Sequence, residues 1–233
     1  MTDDVIKNDK IHIALIPDGN RRYAKKLGKP IWYGHKVGAK KIEEFIRWCS
    51  DYEQIKTVTI FALSTENLKR DEKELNNLWD IYRIHLRRIM RLKSVKEGKI
   101  KINVLGLKNT WRSDVRQAAE DVMKLTAQYS RMVANIMISY GSKFEIIDAV
   151  KKLIKKGIKK GPIKKIFDNY LLVSQPVDLI IRTGNQHRLS NFLLYQSAYA
   201  EIYFSKTLWP EFTREEFDKI MRWYFKQQRK FGR

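Results

Sequence analysis

The sequence predicts an α/β fold, a single domain over residues 1–233 with a central, mostly parallel sheet flanked by helices. Three observations predict it. Short apolar runs alternate with segments of helical period along the chain, and strands separated by helices favour right-handed crossovers and a sheet covered on both faces. The length of 233 residues is near the upper end of what one hydrophobic core supports. No Pro-, Gly- or Ser-rich stretch divides the chain, and no repeat or low-complexity tract stands out. With 43% hydrophobic and 12% aromatic residues it can bury a real core, which excludes wholesale disorder.

The elements follow in order. Ile11 to Ile16 reads as a buried strand closed by Pro17-Asp18-Gly19. Val37, Ile42, Phe45, Ile46 and Cys49 mark one face of a helix from Lys36 to Asp51. Thr57 to Leu63 is a second strand, ending at Ser64-Thr65-Glu66-Asn67, and a long helix follows with Leu75, Leu78, Tyr82, Leu86 and Ile89 on one stripe. Lys101 to Leu105 is a third strand. Ser113 is placed to cap the next helix, which carries Val115, Ala119, Val122 and Leu125. Met132 to Ser139 is a strand and Phe144 to Lys156 a helix, with Gly157 placed to end it. Pro162 suits the first turn of a short helix, and Val177 to Ile181 is a strand ending at Arg182-Thr183-Gly184. Thr213-Arg214-Glu215-Glu216 has the form of a capping box before the final helix.

Charge is the dominant compositional feature: 47 Lys+Arg against 26 Asp+Glu, a net of +21. Such a surface attracts polyanions, among them anionic lipid and phosphorylated substrates. Lys151 to Lys165 reads first as a solvated face and second as a peripheral membrane contact. No recognised nucleic-acid-binding motif accompanies the charge, so nucleic acid is not an expected partner. Cys49 is the only cysteine and falls on an apolar helix stripe, which excludes an intramolecular disulfide and fits a reducing compartment. The N-terminus is polar, and no run approaches the ~20 apolar residues of a membrane span. A cytoplasmic protein, peripheral to a membrane at most, is expected.

Asp18, Ser64 to Asn67, and Arg182 to Ser190 all follow predicted strands. In open parallel sheets ligands gather beyond the carboxyl ends of the strands, so three polar clusters converge on one rim. In the first, Ile16-Pro17-Asp18-Gly19-Asn20-Arg21-Arg22-Tyr23-Ala24, a glycine turn entering a helix offers backbone N–H groups to an anion. Arg21 and Arg22 add fork-shaped donors for diphosphate oxygens. Asp18 aims a carboxylate at the same place, which makes sense where Mg²⁺ mediates between it and phosphate. The Walker pattern is absent.

These residues resemble a known family. HIALIPDGNRRYAKKLG followed by Gly34-His35-Lys36-Val37-Gly38 is similar to the opening motif of the cis-prenyltransferases, the undecaprenyl diphosphate synthases. Phe61 to Arg70 (FALSTENLKR) resembles their second signature. Asp178 to Gly184, then Arg188-Leu189-Ser190-Asn191-Phe192-Leu193-Leu194, resembles their last one, and the match continues through Gln196, Ala198-Tyr199, Glu201, Tyr203-Phe204 and Trp209-Pro210.

The resemblance implies an enzyme that adds isopentenyl diphosphate units to an allylic diphosphate, with Mg²⁺ as cofactor and a hydrophobic tunnel for the growing chain. It assigns Asp18 to the metal and to diphosphate departure, and Glu201 as a second metal-linked carboxylate, with His187 a weaker candidate. Gly19, Asn20, Arg21, Arg22, Tyr23 and His35 would hold the allylic diphosphate. Asn67 and Ser64 sit where the family handles proton removal, and Thr65, Glu66 and Arg70 belong to a mobile substrate-organising loop. Arg182, Arg188, Leu189 and Ser190 would bind isopentenyl diphosphate. The tunnel is expected along the long helix stripe and the strand containing Ala134 and Met137. A homodimer is implied too, with the basic tail Arg229 to Arg233 reaching the partner's site.

Four departures from the family pattern occur: Ile31 and Leu68 replace an arginine and a tryptophan, Asn185-Gln186 replace Gly-Glu, and Lys230 replaces the arginine of the C-terminal Arg-x-Gly. Ile31 suggests a longer starter, because a lost donor leaves more of the binding to tail burial, about 0.8 kcal/mol per CH₂. The wording Asn-Arg-Arg-Tyr-Ala looks more archaeal or eukaryotic than bacterial, and suggests an archaeal type using geranylgeranyl diphosphate, with farnesyl diphosphate the alternative starter, to make a long polyprenyl diphosphate, a glycosyl carrier lipid precursor. A trans-type prenyltransferase is disfavoured by the lack of a DDxxD motif. A non-catalytic subunit is disfavoured by the presence of Asp18, Asn67, Arg182, Arg188 and Glu201.

Overall fold

A computed structural model describes residues 10–158 and 160–227. The polar N-terminus and the tail from Arg229 to Arg233, including Lys230, lie outside the described residues. Six strands form one parallel sheet: β1 (Ile11–Ile16), β2 (Ile55–Phe61), β3 (Ile100–Leu105), β4 (Met132–Met137), β5 (Leu179–Arg182) and β6 (Glu201–Phe204). Their order is β3-β4-β2-β1-β5-β6, and every pair is parallel. The helices are α1 (Asn20–Lys26), α2 (Ile31–Ser50), α3 (Glu72–Ile89), α4 (Lys93–Glu97), α5 (Ser113–Leu125), α6 (Ser142–Lys155), α7 (Ile163–Asp168) and α8 (Arg214–Phe225).

The period of two along each strand divides the core into two faces. Ile11, Ile13 and Leu15 of β1, with Val58, Ile60, Ile102, Ala134 and Leu179, join the larger cluster, which also takes residues of α2, α3, α5 and α8. Ala14, Ile16, Phe61, Met137 and Ile180 point the other way and pack with Tyr140, Phe192 and Leu193. Ala134 and Met137 therefore lie on opposite faces of the sheet. They cannot line one tunnel together, because an odd separation along a strand reverses the side chain's direction. Cys49 is buried in the larger cluster, as its stripe predicts.

A hydrogen-bonded polar ladder crosses the second face. Asn103 Nδ2 donates to Asn135 Oδ1 at 2.9 Å, and Asn135 Nδ2 donates to Thr59 Oγ1 at 3.0 Å. The Thr59 hydroxyl meets His12 Nε2 at 2.8 Å, and His12 Nδ1 lies 3.0 Å from the carbonyl of Pro176. With Nδ1–H donating and Nε2 accepting, every group in the chain is satisfied by a neutral imidazole. Burial lowers the His12 pKa from 6.5 to about 4. A depressed folded-state value means the unfolded chain takes up the proton first as pH falls. The contribution is thus complete above pH 6.5 and is lost as pH drops toward 4. Between about pH 7 and about pH 5 the wild type is expected to lose about 2 kcal/mol more than His12→Gln, read from urea unfolding at both pH values. Equal losses in the two proteins would refute this.

Element boundaries differ from the sequence expectation where tertiary partners decide them. Helix α2 begins at Ile31, directly after Pro30, instead of at Lys36. Arg112, not Ser113, is the N-cap residue of α5, and its guanidinium ties Asp114 (2.8 Å) to Asp80 of α3 (2.6 Å). Thr213 caps α8 as expected, accepting from the Glu216 N–H at 3.2 Å, but the Glu216 carboxylate accepts from Ser205 Oγ instead of closing the box. Gly157, with φ of +64°, follows α6 and donates to the Ile154 carbonyl. Three short elements, α1, α4 and β6, carry too few residues to show a period in sequence.

Strand β1 continues through β2 on one side of the sheet, whereas its neighbour β5 continues through β6 on the other. That reversal opens a crevice beyond the carboxyl ends of β1 and β5, the position where parallel sheets bind ligands.

Candidate active site

A cavity of about 840 Å³ occupies that crevice. From the β1 end come Ile16, Pro17, Asp18, Gly19, Asn20, Arg21 and Arg22; from α2, His35; from the segment after β2, Ser64, Glu66, Asn67 and Arg70. Arg182, Arg188, Ser190 and Asn191 complete the polar lining after β5. Phe61, Ala62, Leu78 and Tyr82 form its apolar part, which brings two residues of the long helix stripe to the polar rim. The three predicted clusters do meet in one cavity.

Two glycines of the Gly34-His35-Lys36-Val37-Gly38 motif make the first cluster possible. A Cβ at Gly34 would strike the Asn20 carbonyl oxygen, and one at Gly38 would strike Asn20 Oδ1. Helix α1 can therefore lie against α2 only where α2 has no side chains. The Trp209 indole donates to the Gly38 carbonyl at 2.9 Å from the far side.

One wall of the cavity is organised by Asp18. Its Oδ2 accepts from Arg182 Nη2 at 2.8 Å, and its Oδ1 accepts from Arg22 Nη2 at 3.1 Å. Arg182 is 3% exposed, and its Nη1 also donates to Ser190 Oγ at 2.8 Å and to the Arg188 carbonyl at 2.5 Å. Burial lowers the Arg182 pKa, with Asp18 opposing the shift. The loop held in this way contains Ser190, Asn191 and Leu193 in the left-handed region, a strained backbone kept in place by its surroundings.

The opposite wall gathers on Glu74, which sequence reasoning missed. Its Oε1 accepts from Arg70 Nη1 at 2.9 Å and from His35 Nε2 at 3.2 Å, and Arg21 Nε lies 3.9 Å away. Burial lowers the His35 pKa despite Glu74, so the imidazole is neutral near pH 7. Asp71 caps α3, accepting from the Lys73 and Glu74 N–H groups. Asp71-Glu72-Lys73-Glu74 has the spacing of a capping box, the one sequence signal that pointed here.

The segment between the walls is tied down as well. Glu66 accepts from Asn191 Nδ2 at 2.9 Å, and Asn191 Oδ1 accepts from the Lys143 N–H at the start of α6. Burial pushes the Glu66 pKa up, but hydrogen bonds from Asn191 and its neighbours outweigh burial and lower it.

Several predicted residues fall outside the cavity lining. Tyr23 of α1 is absent from the lining, Thr65 bonds through its N–H to the Tyr140 carbonyl, and Leu189 packs against the second core cluster. His187 stacks on Phe204 at 4.8 Å. Glu201 begins β6, paired in register with Leu179, so it sits at the amino end of the sheet while Asp18 follows the carboxyl end of β1. Within one chain these two carboxylates are not brought together.

The family departures have local accounts. Asn185 stands at φ 54°, a conformation asparagine tolerates nearly as well as glycine. Gln186 Oε1 accepts from Arg188 Nη1, and Leu68 packs on the larger core cluster. Ile31 does not line the cavity, so its replacement of an arginine gives no structural reason for a longer starter.

A family model for undecaprenyl diphosphate synthases, a prenyltransferase family, matches residues 16–232. The tritrans,polycis-undecaprenyl-diphosphate synthase (geranylgeranyl-diphosphate specific) of Pyrococcus abyssi is 40% identical over 230 residues, covering 95% of this chain and 86% of that protein. The protein of the same name from Thermococcus kodakarensis is 41% identical over 231 residues, with the same coverage. Among solved structures, lavandulyl diphosphate synthase from Lavandula x intermedia, in complex with dimethylallyl diphosphate, superposes with a TM-score of 0.88 at 29% identity, over 95% of this chain and 98% of that one.

Proposed function

The chain belongs to the undecaprenyl diphosphate synthase family of prenyltransferases, and we propose that its cavity extends geranylgeranyl diphosphate with isopentenyl diphosphate units in cis geometry. The long polyprenyl diphosphate so made is a precursor of a glycosyl carrier lipid. The observation that carries this reading is one cavity with two groups of hydrogen-bond donors, Arg21, His35 and Arg70 gathered on Glu74, and Arg182, Arg188 and Ser190 gathered beside Asp18. Two diphosphates side by side repel each other, and two such groups offset that repulsion.

Arg21 and Arg70 hold the allylic diphosphate, with Arg22 reaching it from the Asp18 side, and its carbon–oxygen bond breaks with the electron pair leaving on the diphosphate. Arg182, Arg188 and Ser190 orient isopentenyl diphosphate so that its double bond attacks the allylic carbon. A proton is then lost from the isopentenyl unit. Asn67 and Ser64 orient that carbon; an amide is too weak a base to keep the proton, which passes to a diphosphate oxygen. The apolar lining by Phe61, Ala62, Leu78 and Tyr82 is the entrance of the path for the hydrocarbon chain.

The donor set fits Mg²⁺. Asp18 is a partly exposed carboxylate at the cavity, and no group of three or more His, Cys, Asp or Glu suited to a metal occurs among the described residues. A hard cation that keeps much of its water and takes other ligands from diphosphate suits a one-carboxylate site. When bound, the cation would neutralise charge on the departing diphosphate.

No helix among the described residues is long and apolar enough to cross a membrane. We place peripheral membrane contact at the exposed lysines of α6 and α7, Lys151, Lys155, Lys164 and Lys165. For a homodimer, the edge strand β6, with Ile202 exposed, supplies an open sheet edge.

The experiment supplies labelled isopentenyl diphosphate with ten-, fifteen- and twenty-carbon starters and resolves the products by chromatography. The twenty-carbon starter is expected to give the highest kcat/KM. Equal or better kcat/KM with the ten-carbon starter would overturn the starter assignment, and no incorporation with any starter would overturn the function.

A further inference from the structure

We propose that Glu74 is a positioning residue for the allylic diphosphate, holding Arg70, His35 and Arg21 in place before substrate arrives; the proposal rests on the functional reading above. The three basic side chains come from three different segments, the end of the Ser64–Arg70 stretch, α2 and α1, and all three line the cavity. Glu74 does not line it. Its side chain is 13% exposed and stands behind the wall, with Oε1 facing all three groups.

A carboxylate next to an anion site weakens the attraction for that anion, so its place there needs a compensating role. Without it, Arg21 and Arg70 are like charges sharing one wall, free to spread into solvent. Holding them at one oxygen removes the ordering cost that diphosphate would otherwise meet on binding. His35, neutral because it is buried, donates Nε2–H to Glu74 and so has a fixed tautomer, with Nδ1 left as acceptor. Glu74 is itself well anchored. The Asp71 cap fixes its backbone N–H, and the amino end of α3 favours a negative charge in the first turn.

The test compares steady-state kinetics of Glu74→Ala, Glu74→Gln, Arg70→Ala and the Glu74→Ala/Arg70→Ala double variant. Glu74→Ala is expected to raise KM for the allylic substrate about tenfold, while KM for isopentenyl diphosphate moves by less than about twofold. Glu74→Gln should recover most of the loss, because its amide oxygen accepts the same hydrogen bonds. The double variant should be no worse than Arg70→Ala alone, since Glu74 acts through the groups it holds. Equal rises in both KM values, no rescue by glutamine, or additive losses in the double variant would each overturn the proposal. Should Glu74→Ala fail to fold, Glu74→Met, which keeps the volume and loses the acceptor oxygens, carries the same test alone and combined with Arg70→Ala. A wild type inactive with every starter would refute the functional reading, whereas an active wild type matched by Glu74→Ala would refute the role of Glu74 alone.

Discussion

Asp18→Ala is expected to reduce turnover by on the order of a hundredfold or more at saturating Mg²⁺, the largest effect of any single change at this site. Asp18 is where the two half-sites meet. Its carboxylate takes one oxygen to Arg182 and the other to Arg22, and it is the acidic group proposed above to join a cation to diphosphate. Removing it also takes a partner from the buried Arg182, so some loss of order in the Arg188–Ser190 loop should accompany the loss of chemistry. Asp18→Asn separates the two effects, because it keeps an acceptor for Arg182 while losing the charge. Both variants should melt as cooperative folded proteins by circular dichroism. If either keeps a tenth of wild-type kcat, the catalytic assignment of Asp18 is wrong.

Arg182→Ala is expected to have the next largest effect, raising KM for isopentenyl diphosphate by roughly tenfold or more, as losing charge-assisted bonds should. Its guanidinium does more than present charge. It fixes Ser190 and the Arg188 carbonyl, so the alanine variant loses both a donor and the shape of the loop that carries the others. Arg188 is exposed, and its side chain contacts Gln186, so Arg188→Ala should follow the same pattern more weakly. KM for the allylic substrate should change much less in both, because Arg70 and His35, proposed to serve that substrate, are held by Glu74 and not by Arg182. An equal rise for both substrates would contradict two separate walls.

The fold was legible in the sequence where burial on both sheet faces writes an apolar run broken only by His12, as in β1, or where fuller burial of one face writes alternation, as in β3. The convergence of Asp18, the Ser64–Asn67 turn and Arg182 was legible too, because parallel sheets send every strand's carboxyl end to one rim. Other features depended on the third dimension. Strand β6 is a four-residue edge strand, too short to show alternation. Glu201 reads as a site residue by motif, yet it occupies the end of β6 away from the rim, and strand direction appears only once β6 is found. Glu74 was hidden because a glutamate in a helix's first turn is ordinary; only the approach of α1 and α2 makes it a hub. Ser113 gave way to Arg112 because ion pairs to Asp80 and Asp114, one of them on another helix, set where α5 begins.

The central claim is that one cavity holds two diphosphates at once on separate walls, and equilibrium binding with unreactive thiolo analogues of both substrates tests it most directly. Isothermal titration in the presence of Mg²⁺ should give one allylic and one isopentenyl analogue bound per chain, each binding with the other present. Arg182→Ala should weaken the isopentenyl analogue selectively. Mutually exclusive binding, or a single diphosphate per chain under saturating conditions, would contradict the account.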